Sequence, residues 1–234
     1  MAANGSMKHV LRGCCLLVIV TGFGSPVWCN SISTLSGQVQ LSPLPDSLQP
    51  GAFESDTTAS IFQEQSNITL GADLPVDGDL AGAYTSHASL TPGVIPAGTM
   101  VSDLYFDSDP NSSTGIQFTG SITFSSDILG VIALSATLNA TDGMLGVAGV
   151  NYPETERARG LELNNQDSFI ISPDLRTLTF DVITMTGVDQ MRIVIAGDSV
   201  STVPEPGSGV LLALGFACVG CLRRTIFRRR NCCR

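Results

Sequence analysis

Between Asn30 and Pro204 the chain has no cysteine, no lysine, no tryptophan and a single histidine, His87. Without cysteine this stretch can be neither a disulfide scaffold nor a thiolate-ligated metal site. One histidine excludes a multi-histidine metal centre, and a Ser-His-Asp triad would have to run through His87, which no nucleophile turn flanks. Positive charge is equally scarce. Four arginines (Arg157, Arg159, Arg176, Arg192) face twenty Asp and Glu, a formal net of −16 inside a chain whose total is −9. Such a surface repels phosphate, so nucleic acid is excluded as a partner, and it attracts divalent cations.

What the middle lacks is at the ends. All seven cysteines lie there: Cys14, Cys15 and Cys29, then Cys218, Cys221, Cys232 and Cys233. Cys218 and Cys221 have CxxC spacing but no second pair and no histidine, so they read as small helix residues and not as zinc ligands. At the N-terminus, Lys8, His9 and Arg12 precede an apolar run from Cys14 to Val20, then Gly22, Gly24, Ser25 and Pro26. This predicts a secretory signal peptide over residues 1–29, cleaved near Cys29-Asn30, with Met7 as an alternative start.

At the C-terminus an uncharged run from Gly207 to Leu222 follows Pro204-Glu205-Pro206 and precedes Arg223, Arg224, Arg228, Arg229 and Arg230. Its sixteen residues give about 24 Å of helix, slightly less than the roughly 30 Å hydrocarbon core, a gap that snorkelling arginines can cover. The membrane helix is predicted over 208–222. The arginines place the C-terminus in the cytoplasm and the rest of the chain outside.

This ordered tail resembles the PEP-CTERM sorting signal. Pro204, Glu205 and Pro206 match the motif, Val210 to Leu222 the helix, and Arg223, Arg224 and Arg228 to Arg230 the basic cluster. The resemblance implies a bacterium producing extracellular polymeric substance and a tail processed by an exosortase-type transpeptidase. Pro96-Ala-Gly-Thr-Met-Val101, Tyr105-Phe-Asp107, Gly120-Ser-Ile-Thr-Phe124 and Asp189-Gln-Met-Arg192 also resemble a recurring exported domain attached to this signal. That likeness implies a sandwich and carries no activity with it.

The region between the ends reads as β. Residues 30–66, with Pro43, Pro45 and Pro50, are expected to be a loose lead-in holding at most an edge strand over Ser33 to Leu41. Residues 67–200 are expected to be the folded domain, and 201–234 the sorting tail. Ile116 to Phe124 alternates most regularly, and Ile128 to Leu138 follows as an apolar strand, the two reading as a hairpin or as neighbours. Leu178, Phe180 and Val182 alternate after the Ser172-Pro173-Asp174 turn, and Gln190 to Ile195 closes the domain. Asn139 to Arg159 is irregular, with room for a short helix. About eight short strands with Gly, Pro and Asp turns predict an all-β antiparallel sandwich, jelly-roll-like or, alternatively, immunoglobulin-like.

Two acidic groupings stand out. Asp107-x-Asp109-x-Asn111, with Asp103 and with Asp77 or Asp79 as helpers, spaces oxygens like the start of a calcium loop. Pro110, Ser112 and Phe118 depart from the EF-hand pattern and exclude that motif. Glu154, Glu156 and Glu162 near Tyr152 are the first choice for a glycosidase pair, but twenty acids produce such pairs by chance. Tyr84 and Tyr152 are the candidate sugar platforms.

The expectation is an exported cell-surface or extracellular-matrix protein, structural or adhesive, at least transiently membrane-anchored. It is not expected to be an enzyme or to need a cofactor beyond the candidate Ca2+. Expected partners are the membrane, the exosortase and extracellular polysaccharide. The alternatives are a carbohydrate-binding or polysaccharide-modifying module and a plain membrane-anchored envelope protein.

Overall fold

The computed structural model describes residues 31–198, apart from Ser113, Asn165 and Thr186. The predicted signal peptide, membrane helix and arginine cluster lie outside the described residues. No described helix is long and apolar enough to cross a membrane.

The described elements, in chain order, are β1 (Ile32–Gly37), β2 (Val39–Leu41), β3 (Ala59–Thr69), β4 (Leu74–Val76), β5 (Gly82–Tyr84), β6 (Gly93–Ile95), β7 (Met100–Ser108), β8 (Ile116–Phe124) and β9 (Ile128–Ile132), then helix α1 (Ser135–Leu145), then β10 (Ser168–Ile171), β11 (Thr177–Thr184) and β12 (Asp189–Ala196). They form two five-stranded sheets. The first runs β1-β8-β11-β10-β5 and the second β2-β3-β7-β12-β9, while β4 and β6 pair separately. All pairings are antiparallel except that of β2 with β3. The result is an all-β sandwich.

Alternation builds the inner face of the first sheet. Phe118, Ile122 and Phe124 of β8 and Leu178, Phe180 and Val182 of β11 are all buried, with more exposed residues between them. Leu104 and Phe106 of β7 and Met191, Ile193 and Ile195 of β12 join them in one core. Ring packing supports the contact between sheets: Phe106 and Phe180 have centroids 4.8 Å apart.

The central strands β7 and β12 of the second sheet are buried on both faces. From Val101 to Ser108 and from Asp189 to Ile195 every residue is buried. A second apolar cluster containing Phe62, Val101, Tyr105, Val194, Leu138 and Leu145 lies on its other face, where α1 covers it. In β12 Gln190 and Arg192 alternate with Met191 and Ile193 although both faces are covered, because the face under α1 holds buried polar side chains.

Two expectations change. Residues 30–66 supply β1, β2 and most of β3, with Ile32, Val39, Leu48, Ala59, Ile61 and Phe62 buried. The prolines interrupt only the 42–58 connection, and β3 is the longest strand described. Nor do Ile116–Phe124 and Ile128–Leu138 form a hairpin: β8 and β9 lie in different sheets. The apolar run also splits, ending as strand at Ile132 and becoming helix at Ser135. Leu134 offers no capping side chain to this helix. Instead Asp77 accepts from the amides of Ala133 (2.8 Å) and Leu134 (2.9 Å) and from Thr137 Oγ1 (2.7 Å). A borrowed carboxylate does the work of a cap and favours the helix dipole.

One turn is tightly constrained. Gly37 has φ +82°, and a Cβ there would stand 2.4 Å from the Thr119 carbonyl oxygen. Gly37→Ala would add left-handed strain to a backbone clash between β1 and β8, at a cost of about 1–3 kcal/mol or more. A thermal melt of the variant should show the loss; an unchanged midpoint would refute the contact.

Candidate functional site

The calcium reading from the sequence places its four residues on or just after β7, and the structure directs them to different partners. Asp103 and Asp107 are four residues apart on one strand face, which separates their Cα atoms by about 13 Å. Asp103 accepts from the Gln65 amide (3.1 Å) and Asp107 from Gln190 Nε2 (2.6 Å). Asp109 receives the amides of Gly51 (2.9 Å) and Phe53 (3.3 Å). The Asn111 amide donates to Asp56 (2.8 Å), and Asp77 is occupied at α1. These residues form no shared oxygen cage.

Instead, Asp103 and Asp107 belong to a buried polar network on the α1-covered face of the second sheet. β7 presents Asp103, Tyr105 and Asp107 at alternate positions, and β12 sets Arg192 opposite Tyr105 and Gln190 opposite Asp107. Arg192 reaches Glu64 of β3 (2.7 Å) and Asp142 of α1 (2.7 Å). Arg159 grips the same Asp142 through both terminal nitrogens, at 2.5 and 2.8 Å. It also donates to the Tyr105 hydroxyl (2.8 Å), which in turn donates to Gln190 Oε1 (2.5 Å). Tyr152 donates its hydroxyl to Glu64. Both guanidinium carbons lie 5.0 to 5.8 Å from the Tyr105 and Tyr152 ring centroids.

Both arginines are fully buried. Burial opposes the Arg192 charge, yet Glu64 and its neighbours hold the guanidinium protonated more firmly than usual. Burial, followed by the adjacent Glu64 carboxylate, pushes Asp103 well above the ordinary range. Burial also lifts Asp107 to about 7, partly offset by the Gln190 hydrogen bond. The network ties β3, β7, β12, α1 and the 145–160 segment together, with almost every hydrogen-bonding position used. Its chemistry is structural.

A second acidic grouping was not legible as such. Glu162, Asp167 and Asp189 each place one carboxylate oxygen within 4.8 Å of the others. Asp167 is held by the amides of Glu162 (2.6 Å) and Ile183 (2.9 Å). Asp189, at the first position of β12, is 3 % exposed, and its Oδ2 has no hydrogen-bond partner among the described residues. Burial and then the Asp167 charge lift Asp189 to about 9. Burial also raises Asp167 and Glu162. In the sequence Asp189 reads as the end of a Gly-Val-Asp turn, and only Glu162 of the three stands out, for proximity to Glu154 and Glu156. No motif spacing marks residues contributed by one loop and a strand start.

Other sequence candidates resolve simply. His87 is exposed in a short 3-10 turn, where its amide donates to Asn164 (3.1 Å). It lines a cleft of about 560 Å³ with Ser135, Arg157 and Glu162. Tyr84 is buried and stacks on Phe169 at 4.5 Å, and Tyr152 is buried in the network, so neither is an open platform for a sugar ring. Pro204, Glu205, Pro206 and the five arginines from Arg223 to Arg230 lie outside the described residues.

Comparison with known families identifies that tail. The model of the PEP-CTERM protein-sorting motif matches residues 202–224, wholly beyond the sandwich. Comparison with curated proteins and with solved structures returns no match. The motif implies an exported protein, associated with a membrane and sorted by an exosortase. Residues 202–224 of this chain thus carry a PEP-CTERM protein-sorting motif.

Proposed function

We propose that this is a non-enzymatic cell-surface or extracellular-matrix protein, structural or adhesive, of a bacterium that makes extracellular polymeric substance. The sorting motif at residues 202–224 carries the reading. In it, residues 1–29 direct export and helix 208–222 holds the chain in the membrane with Arg223, Arg224 and Arg228 to Arg230 on the cytoplasmic side. The transpeptidase then acts near Pro204-Glu205-Pro206. What remains outside is an acidic, cysteine-free sandwich, jelly-roll-like in that the chain passes between sheets from β7 to β8, β8 to β9 and β11 to β12. A surface of that charge stays soluble after release.

Mass spectrometry of the native protein's C-terminus tests this. The mature chain should end close to Pro204–Pro206. A mature chain still ending at Arg234 would make it a plain membrane-anchored envelope protein.

One observation favours a carbohydrate-binding module as the second reading. A groove of about 500 Å³ in the first sheet is lined by the hydroxyl-bearing residues Ser36, Thr119, Ser121, Ser168 and Thr179 and by Asp181, with Ile170 and Phe180 as its apolar part. Affinity electrophoresis in gels containing the host's polysaccharide separates the two readings: retardation supports binding, and unaltered migration supports the structural role.

A further inference from the structure

We propose that Glu162, Asp167 and Asp189 form a calcium site that joins the 161–167 loop to the start of β12. Three oxygens bound to one Ca2+ at about 2.4 Å can stand no more than about 4.8 Å apart. The three carboxylates meet that limit with no ion present. Acidic residues gathered at a surface are common, so the proposal rests on a second observation. Asp189 is 97 % buried by its 3 % exposure, and its Oδ2 has no partner among the described residues. It borders a cavity of about 170 Å³, with Glu162, Gln166 and Thr184 also on the wall. A buried carboxylate oxygen without a donor is costly, and a cation seated there would satisfy it.

The surroundings favour a metal over a side-chain counter-charge. Among the described residues, the ion pairs made by arginines go to Asp127, Glu64, Asp103 and Asp142, and none goes to these three acids. Asp167 is already oriented by two backbone amides, so one ligand is held in place before binding. An all-oxygen donor set with no histidine or thiolate selects Ca2+ or Mg2+ over zinc or copper. The choice falls on Ca2+ because its flexible oxygen shell accepts three protein carboxylates, whereas Mg2+ takes one or two and keeps most of its waters; the cavity beside exposed Glu162 completes the shell with water. The competing occupant is a proton shared within the cluster, which would make the site indifferent to metal.

The test uses the purified full chain in detergent micelles, with CaCl2 as the probe. Thermal melts are recorded in EDTA and at about 10 mM Ca2+, a concentration that saturates extracellular-type sites. The expected result is a midpoint raised by roughly 5 °C or more, with calorimetric titration giving one site per chain. Asp189→Asn should abolish both the shift and the heat, while Glu154→Gln, an exposed acid outside the cluster, should retain them. A wild-type chain with no shift and no heat would overturn the proposal in favour of the shared proton. So would a shift that survives in Asp189→Asn, or a response to Mg2+ without one to Ca2+. Each of these outcomes is independent of where the tail is cut.

Discussion

Arg192→Met should destabilise the sandwich by about 3–5 kcal/mol and lower its melting midpoint by roughly 10 °C. The guanidinium is fully buried between Glu64 at 2.7 Å and Asp142 at 2.7 Å, with Asp103 at 3.9 Å. Methionine keeps much of the volume and removes the charge, so the loss is electrostatic. Asp142 would retain Arg159, but Glu64 would keep only the Tyr152 hydroxyl. The double variant Arg192→Met, Glu64→Gln should recover part of the loss, because the carboxylate closest to the lost guanidinium is then neutral as well. Denaturant unfolding of the single and double variants measures both quantities. Equal stability of Arg192→Met and wild type would show that the network does not hold the sandwich together.

A second large effect concerns pH. Asp107 ionises near 7 in the folded protein because burial disfavours its charge, against an ordinary value near 3.8. Between those two values the folded chain binds more protons at this site than the unfolded chain. Stability from this group is therefore full below about pH 4 and falls as pH rises toward 7, then levels off. The difference corresponds to roughly 4 kcal/mol as an order of magnitude. Gln190 donates to Asp107 Oδ1, Arg159 acts from across the network, and the nearby charge of Asp109 opposes ionisation. Asp107→Asn keeps an acceptor for Gln190 and carries no charge at any pH. In EDTA, the variant should match wild type near pH 4 and exceed it near pH 8. Parallel stability profiles for the two proteins would show that Asp107 ionises freely in the fold.

The sandwich was legible where one face of a strand meets solvent. Leu178, Phe180 and Val182 alternate with more exposed residues because β11 has a wet side, and the same holds for Phe118 and Ile122 in β8. It was less legible in the second sheet. Asp103 and Asp107 read as solvent-side calcium ligands because aspartates on a strand usually face water; here α1 covers that side, and both are buried. Glu64 lay in a stretch read as loose lead-in, since Pro43, Pro45 and Pro50 dominate its composition. Its burial depends on β3 pairing with β7, a contact nearly forty residues away in sequence, at Gln63–Leu104 and Gln65–Asp103. The break in the apolar run after Ile132 was hidden for a similar reason: the group that terminates the strand and starts α1 is Asp77, from the loop after β4.

By itself the sequence determined the sorting motif. The match at residues 202–224 is one contiguous stretch, so the order of its residues along the chain suffices to read it. It also determined the β class, because alternation and turn residues are local. Tertiary structure alone decided how the twenty acids of the exported region divide their roles. Some neutralise two buried arginines, one caps a helix, and three converge beside β12 with no positive side chain among the described residues to balance them. Those roles depend on which strands lie side by side and on which face the helix covers. Residues far apart in sequence become neighbours only through that pairing.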